Sequence, residues 1–93
     1  MMRITVHDDT DCSLLKVEGM LVGPWVAELN RCWRQTRTRR PLAHVGLDLN
    51  EATHIDAAGK RLLGQMYEAG ATLIASSCLM KAIVQEVAEL SAK

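Results

Sequence analysis

Three times along this chain a short strand-like segment hands over to one with apolar residues at helical spacing, and that repeated switch of period restricts the folds open to it. Before the first switch comes an additional strand. Residues 3–8 (RITVHD) place Ile4 and Val6 on one side and Arg3, Thr5 and His7 on the other. After the polar turn DDTDCS, residues 14–21 alternate again, with Leu15, Val17 and Leu21 opposite Lys16 and Glu18. The short connection predicts an antiparallel hairpin. Gly23-Pro24 then opens a helix, because proline at the first helical position gives up no useful hydrogen bond. At 100° per residue Trp25, Val26, Leu29, Cys32 and Trp33 share one face, with Ala27, Arg31 and Arg34 opposite.

Beyond Pro41, residues 44–49 alternate once more, pointing Val45, Leu47 and Leu49 inward. A second helix is predicted from Asp56, whose carboxylate can accept from the free amides of a first turn, to Gly70, which suits a C-terminal cap. Its inward arc holds Gly59, Leu62, Leu63 and Met66, and Lys60, Arg61, Gln65 and Glu68 face out. The apolar run ATLIA (71–75) reads as a short strand. Ser76-Ser77 offers a cap for a last helix with Leu79, Ile83, Val87 and Leu90 on one stripe.

The order β-β-α-β-α-β-α makes the class α/β. Strands joined through helices run parallel with right-handed crossovers, so the last three form a βαβαβ unit and the first adds to it as a hairpin strand, giving a four-stranded mixed sheet. Strands that alternate apolar with polar have one wet face, which predicts three helices mainly on one side of the sheet and leaves the other to solvent or a partner. At 93 residues, 48% of them apolar, the chain (1–93) is expected to be one small domain with no room for a second core.

Composition excludes several functions. Eleven basic and eleven acidic side chains leave no net charge to drive nucleic-acid or anionic-membrane binding, and no Phe, one Tyr and two Trp make a poor stacking platform for single strands. No stretch approaches the ~20 apolar residues of a membrane span, and the start lacks the apolar region of a secretion signal, so a cytoplasmic protein without membrane insertion is expected. Cys12, Cys32 and Cys78 are odd in number and lack C-x-x-C spacing, and His7, His44 and His54 have no ligand-spaced partner; neither a disulfide framework nor a metal site is predicted. Ser76-Ser77-Cys78 is not a nucleophile elbow and no glycine-rich phosphate loop occurs, so neither catalysis nor a cofactor is expected.

Two features admit more than one reading. Arg31, Arg34, Arg37, Arg39 and Arg40 put five cations into ten residues. They suit the end of a helix followed by a solvated loop, with the aspartates between 8 and 11 as counter-charges within an oligomer, or they meet an acidic partner, a phosphorylated ligand or a lipid headgroup. Gly64 falls in mid-helix, where it costs about 1 kcal/mol relative to alanine; close approach by another element or neutral drift accounts for it.

Residues 46–59, GLDLNEATHIDAAG, resemble the segment that marks the STAS family, shared by sulfate transporters and anti-sigma-factor antagonists: a strand ending in D-L, an apolar residue, then D-S-x-G at a helix start. Leu47-Asp48-Leu49, Ile55, Asp56 and Gly59 match it, and the likeness extends from about Leu14 to Ala88 through Val17-Glu18-Gly19 and Gly70-Ala71. The resemblance implies a STAS-like domain that works by binding, without catalysis. It places a protein-docking surface on Thr53, His54, Asp56, Ala57, Ala58, Lys60 and Arg61, with Asp56 as a helix cap and His54 near enough to make a contact pH-sensitive. Where phosphorylated antagonists carry serine this chain has Ala57, so no phosphorylation site is expected in the turn. The loop is then either inert or a docking surface free of covalent control. The partners implied are a kinase-like anti-sigma factor or, for an accessory subunit of an ABC-type transport complex, a transporter ATPase. A scaffold component assembling through the uncovered sheet face, and a homodimer, are further alternatives. The chain ends soon after its third helical segment, where many members add another strand and helix, so a minimal or shortened version is expected.

Overall fold

The computed structural model describes residues 2–91. β1 (Met2–Asp8) and β2 (Cys12–Leu21) form the antiparallel hairpin, with Ile4 opposite Val17 and Val6 opposite Leu15. α1 (Pro24–Arg39), β3 (His44–Ile55), α2 (Ala57–Glu68), β4 (Thr72–Ile74) and α3 (Cys78–Ser91) follow in the expected order. The sheet runs β1-β2-β3-β4, with β2, β3 and β4 mutually parallel.

Every fully buried strand side chain among the described residues projects from one face of this sheet: Ser13, Leu15, Val17 and Leu21 from β2, Leu47 and Leu49 from β3. Leu29 and Trp33 of α1, Leu62, Leu63 and Met66 of α2, and Met80 and Val87 of α3 close over them. Each such aliphatic residue contributes roughly 1.5–3 kcal/mol through burial. The opposite face carries Arg3, Thr5, His7, Lys16, Glu18 and Asp48, none of them buried. Near the start of β3 on that face, Gly46 is covered by its neighbours; a Cβ there would meet Leu14 Cδ1 at 3.2 Å and Ile74 Cδ1 at 3.9 Å. The expectation of helices on one side of the sheet therefore holds.

Three boundaries differ from the sequence reading. The hairpin turn is tighter, since β2 starts at Cys12 and the Asp9 amide already donates to the Cys12 carbonyl at 2.7 Å. β3 does not stop at Leu49 but continues to Ile55, carrying one extra residue between Asp48 and Glu51 and another between Ala52 and His54 relative to β2. These two bulges turn the inward spacing from two into three, so Leu49, Ala52 and Ile55 are all buried. β4 spans only Thr72–Ile74.

In α1 the buried stripe is Leu29, Trp33 and Thr36, flanked by half-buried Trp25, Val26 and Cys32. Thr36 is tolerated inside because its hydroxyl donates to the Cys32 carbonyl at 2.9 Å. α2 buries the four residues of its predicted inward arc, and Gly70 follows its end at φ +97°. The Ser77 hydroxyl accepts from the Met80 amide at 3.2 Å and so caps α3. On that helix Val87 is buried and Ile83 half-buried, whereas the side chains of Leu79 and Leu90 lie outside the described set.

The arginine cluster is not a solvated loop. α1 continues through Arg39, and Arg39 grips the Asp8 carboxylate with both terminal nitrogens, at 2.7 and 3.2 Å. Arg40, its side chain only 21% exposed, donates to the Ser13 hydroxyl and to the carbonyls of Asp9, Thr10 and Cys12. The end of α1 is thereby tied to the β1–β2 turn within the same chain. The expected counter-charge from the aspartates comes from Asp8, without an oligomer.

Candidate docking site

The site is built where the parallel strands end. Both bulges of β3 deliver Ile55 into the core, and the next residue, Asp56, is caught between two strand ends when its amide donates to the Leu21 carbonyl at 3.2 Å. Its carboxylate then serves both neighbouring helices. Oδ1 accepts from the Gly59 amide at 2.8 Å, capping α2, and Oδ2 accepts from the Gly23 amide at 2.9 Å, at the start of α1. Gly23, at φ +55°, has no side chain to cap α1 itself, so Asp56 reaches across 33 positions to satisfy it. The amides of Gly23 and then Gly59 hold the Asp56 carboxyl below its ordinary value, helped by the charges of His54 and Arg61.

Gly59 is required by space. A Cβ there would lie 2.8 Å from Ile55 Cγ2 and 2.9 Å from the Leu21 carbonyl oxygen, closer than side chains pack. The turn is thus fixed from below by the strand ends and from within by the carboxylate.

Around it the seven residues expected at the docking surface distribute unevenly. Thr53, His54, Ala57 and Arg61 are exposed, and Ala58 and Lys60 half-buried. Asp56 contributes geometry, with each oxygen already engaged. Lys60, expected to face freely outward, leans onto α3 and pairs with Glu86 at 3.2 Å. Thr53 and His54 sit on the last stretch of β3, not in a loop, and His54 is in register with Met20 of β2. Met20 is 41% exposed and adds an apolar side chain to this rim.

Sequence reasoning missed Gly23, Met20 and Glu86. Met20 carries a usable signal: it has the outward parity of Lys16 and Glu18 yet is apolar. The contacts of Gly23 and Glu86 depend on tertiary placement and leave no local trace. Chemically, a carboxylate with both oxygens on backbone amides is a clamp and not a proton acceptor, and Thr53 carries the one hydroxyl between positions 53 and 61. What the arrangement offers is a rigid, partly apolar, partly cationic surface.

Among solved structures, the anti-sigma factor antagonist SpoIIAA in its unphosphorylated form superposes with a TM-score of 0.68 at 19% identity, over 89% of this chain and 82% of that one. The fold is SpoIIAA-like. An uncharacterised DUF3478-family protein from Shewanella loihica, itself described as having a SpoIIAA-like fold, matches at a TM-score of 0.60 and 12% identity, over 96% of this chain and 79% of that one. The chain matches no protein-family model and no curated protein. The SpoIIAA-like fold agrees with the STAS-like architecture and element order that the sequence implied. Among the described residues no helix is long and apolar enough to cross a membrane.

Proposed function

We propose that this SpoIIAA-like chain is a non-enzymatic regulatory module that binds a protein partner through the surface around Asp56, comprising Thr53, His54, Ala57, Ala58, Lys60 and Arg61 with Met20 at its edge. The observation that carries this reading is the pair of bonds from the Asp56 carboxylate to the amides of Gly23 and Gly59. They spend the one acidic group of the turn on rigidity, and no hydroxyl stands on the turn itself, where Ala57 and Ala58 follow Asp56. A preordered surface loses little conformational entropy on association, which favours binding as its use.

The partner type in view is an anti-sigma factor, because SpoIIAA is an anti-sigma factor antagonist with this fold. Control by phosphate on the turn is absent in this proposal, since Ala57 and Ala58 follow Asp56. With a kinase-type partner and ATP, residues 53–61 stay unmodified; phosphate on Thr53 would overturn that part.

The test is affinity isolation of the wild type and of the double variant Ala57→Glu/Met20→Asp at native expression, with the partner identified by mass spectrometry. Both positions are exposed. Glutamate in a first helical turn is favourable to the helix, so the variant should fold. Loss of the partner from the folded variant is the expected result; retention with unchanged affinity places the interface elsewhere, the open sheet face being next.

A further inference from the structure

Of the five arginines between positions 31 and 40, three find a carboxylate in the chain: Arg31 pairs with Glu28, and Arg39 and Arg40 with Asp8. Among the described residues Arg34 and Arg37 do not. Arg34 donates through Nε to the neutral amide oxygen of Asn30 at 3.2 Å, and Arg37 lies over the Trp33 ring at 5.0 Å from its centre. Both side chains are exposed, one helical turn apart.

They border a furrow between α1 and α2 that runs from Gly23 to Pro41. The half beside Trp33, Arg34 and Arg37 encloses about 590 Å³. The half beside Val26, Ala58 and Arg61 encloses about 350 Å³, and Gln65 lines both. Three guanidinium groups therefore line the furrow, and among the described residues no carboxylate does, on a chain whose eleven basic and eleven acidic side chains balance as a whole. Stacking on Trp33 holds the Arg37 plane in place before anything binds, which lowers the entropic cost of using it. The Val26 and Ala58 end is apolar and suits side chains of a peptide; a polyphosphate or nucleic-acid backbone would leave it unused.

We propose that the α1–α2 furrow seats an acidic segment of a protein partner, its carboxylates on Arg34, Arg37 and Arg61 and its apolar side chains against Val26 and Ala58. At the Ala58–Arg61 end this rests on the docking surface proposed above, and it names the chemistry of the partner.

The probe is a fluorescein-labelled amphipathic peptide of about 16 residues, long enough to match α1 as a helix, with glutamates on one flank and leucine and alanine on the other. Its lysine counterpart and inorganic polyphosphate serve as comparators. Saturable binding below about 1 mM is expected, weakening as salt rises from about 50 to about 500 mM. Arg34→Glu/Arg37→Glu should weaken it at least about tenfold, whereas Lys81→Glu, an exposed cation on α3, should not. Amide and indole shifts should cluster at Trp33, Gln65 and Ala58. No binding by about 1 mM, equal binding of the lysine peptide, or equally tight, arginine-dependent binding of polyphosphate overturns the proposal. A natural partner retained by the folded arginine double variant but lost from Ala57→Glu/Met20→Asp refutes the furrow and leaves the docking surface standing. The reverse pattern refutes the docking surface and leaves the furrow.

Discussion

Replacing Gly59 by alanine should cost the fold more than its helical position suggests. In an open helix the change gains about 1 kcal/mol from propensity. Here the new methyl carbon would meet Ile55 Cγ2 at 2.8 Å, the Leu21 carbonyl oxygen at 2.9 Å and Asp56 Oδ1 at 3.3 Å. The Ile55 methyl can rotate aside, but the carbonyl is backbone and also accepts from the Asp56 amide, so relief there strains the turn itself. Overpacking of this kind costs about 1–3 kcal/mol, and its upper range applies where backbone must move. After the propensity gain the net loss is about 1–2 kcal/mol, which for a domain of this size lowers the melting temperature by roughly 5–15 °C. Gly70→Ala is the control. Nothing lies within 4 Å of a Cβ there, so it tests only the φ of +97°, at about 1–2 kcal/mol. Thermal and urea unfolding of both variants measure these losses, and partner affinity separates them, because only Gly59→Ala displaces the docking turn. A Gly59→Ala protein that melts within about 2 °C of wild type would refute the close approach to Leu21.

Arg40→Ala should destabilise by about 2 kcal/mol, since it strips charged donors from three turn carbonyls and the Ser13 hydroxyl, whereas Arg37→Ser should stay within about 1 kcal/mol; equal losses in urea titrations would count against the anchoring role of Arg40. The Asp8 carboxyl is drawn down to about 2, first by its bond from Arg39 and then by that from Ser13. A carboxyl lowered in the folded state stabilises it above its unfolded value near 3.9 and loses that contribution as pH falls toward 2. The wild type should therefore lose melting temperature between about pH 4 and 2, and Asp8→Asn should lose less over the same window. Equal slopes for the two proteins would contradict the pairing.

The sequence makes α2 readable throughout, because Gly59, Leu62, Leu63 and Met66 keep the helical period and Asp56 and Gly70 mark its ends. The tail of β3 is not readable. Asn50, Glu51, Thr53 and His54 look like a loop, and only two bulges, invisible in a one-dimensional pattern, let Leu49, Ala52 and Ile55 all face inward. Arg40 is illegible for another reason: apart from Ser13 and Asp8 its acceptors are backbone carbonyls, which no side-chain pattern encodes. Within the candidate site the residue types were legible through the D-x-x-G turn. The second bond of Asp56, to Gly23, and the attachment of Lys60 to Glu86 arise only when α1 and α3 settle beside α2.

The docking surface is tested most directly by placing a photo-crosslinking amino acid at Ala57, and separately at His7 on the open sheet face, in cells that express the protein at native level. Both positions are exposed, so neither insertion disturbs the core. A specific crosslinked protein from position 57, absent from position 7, is the expected outcome. Crosslinking from position 7 with none from position 57 would move the interface to the sheet.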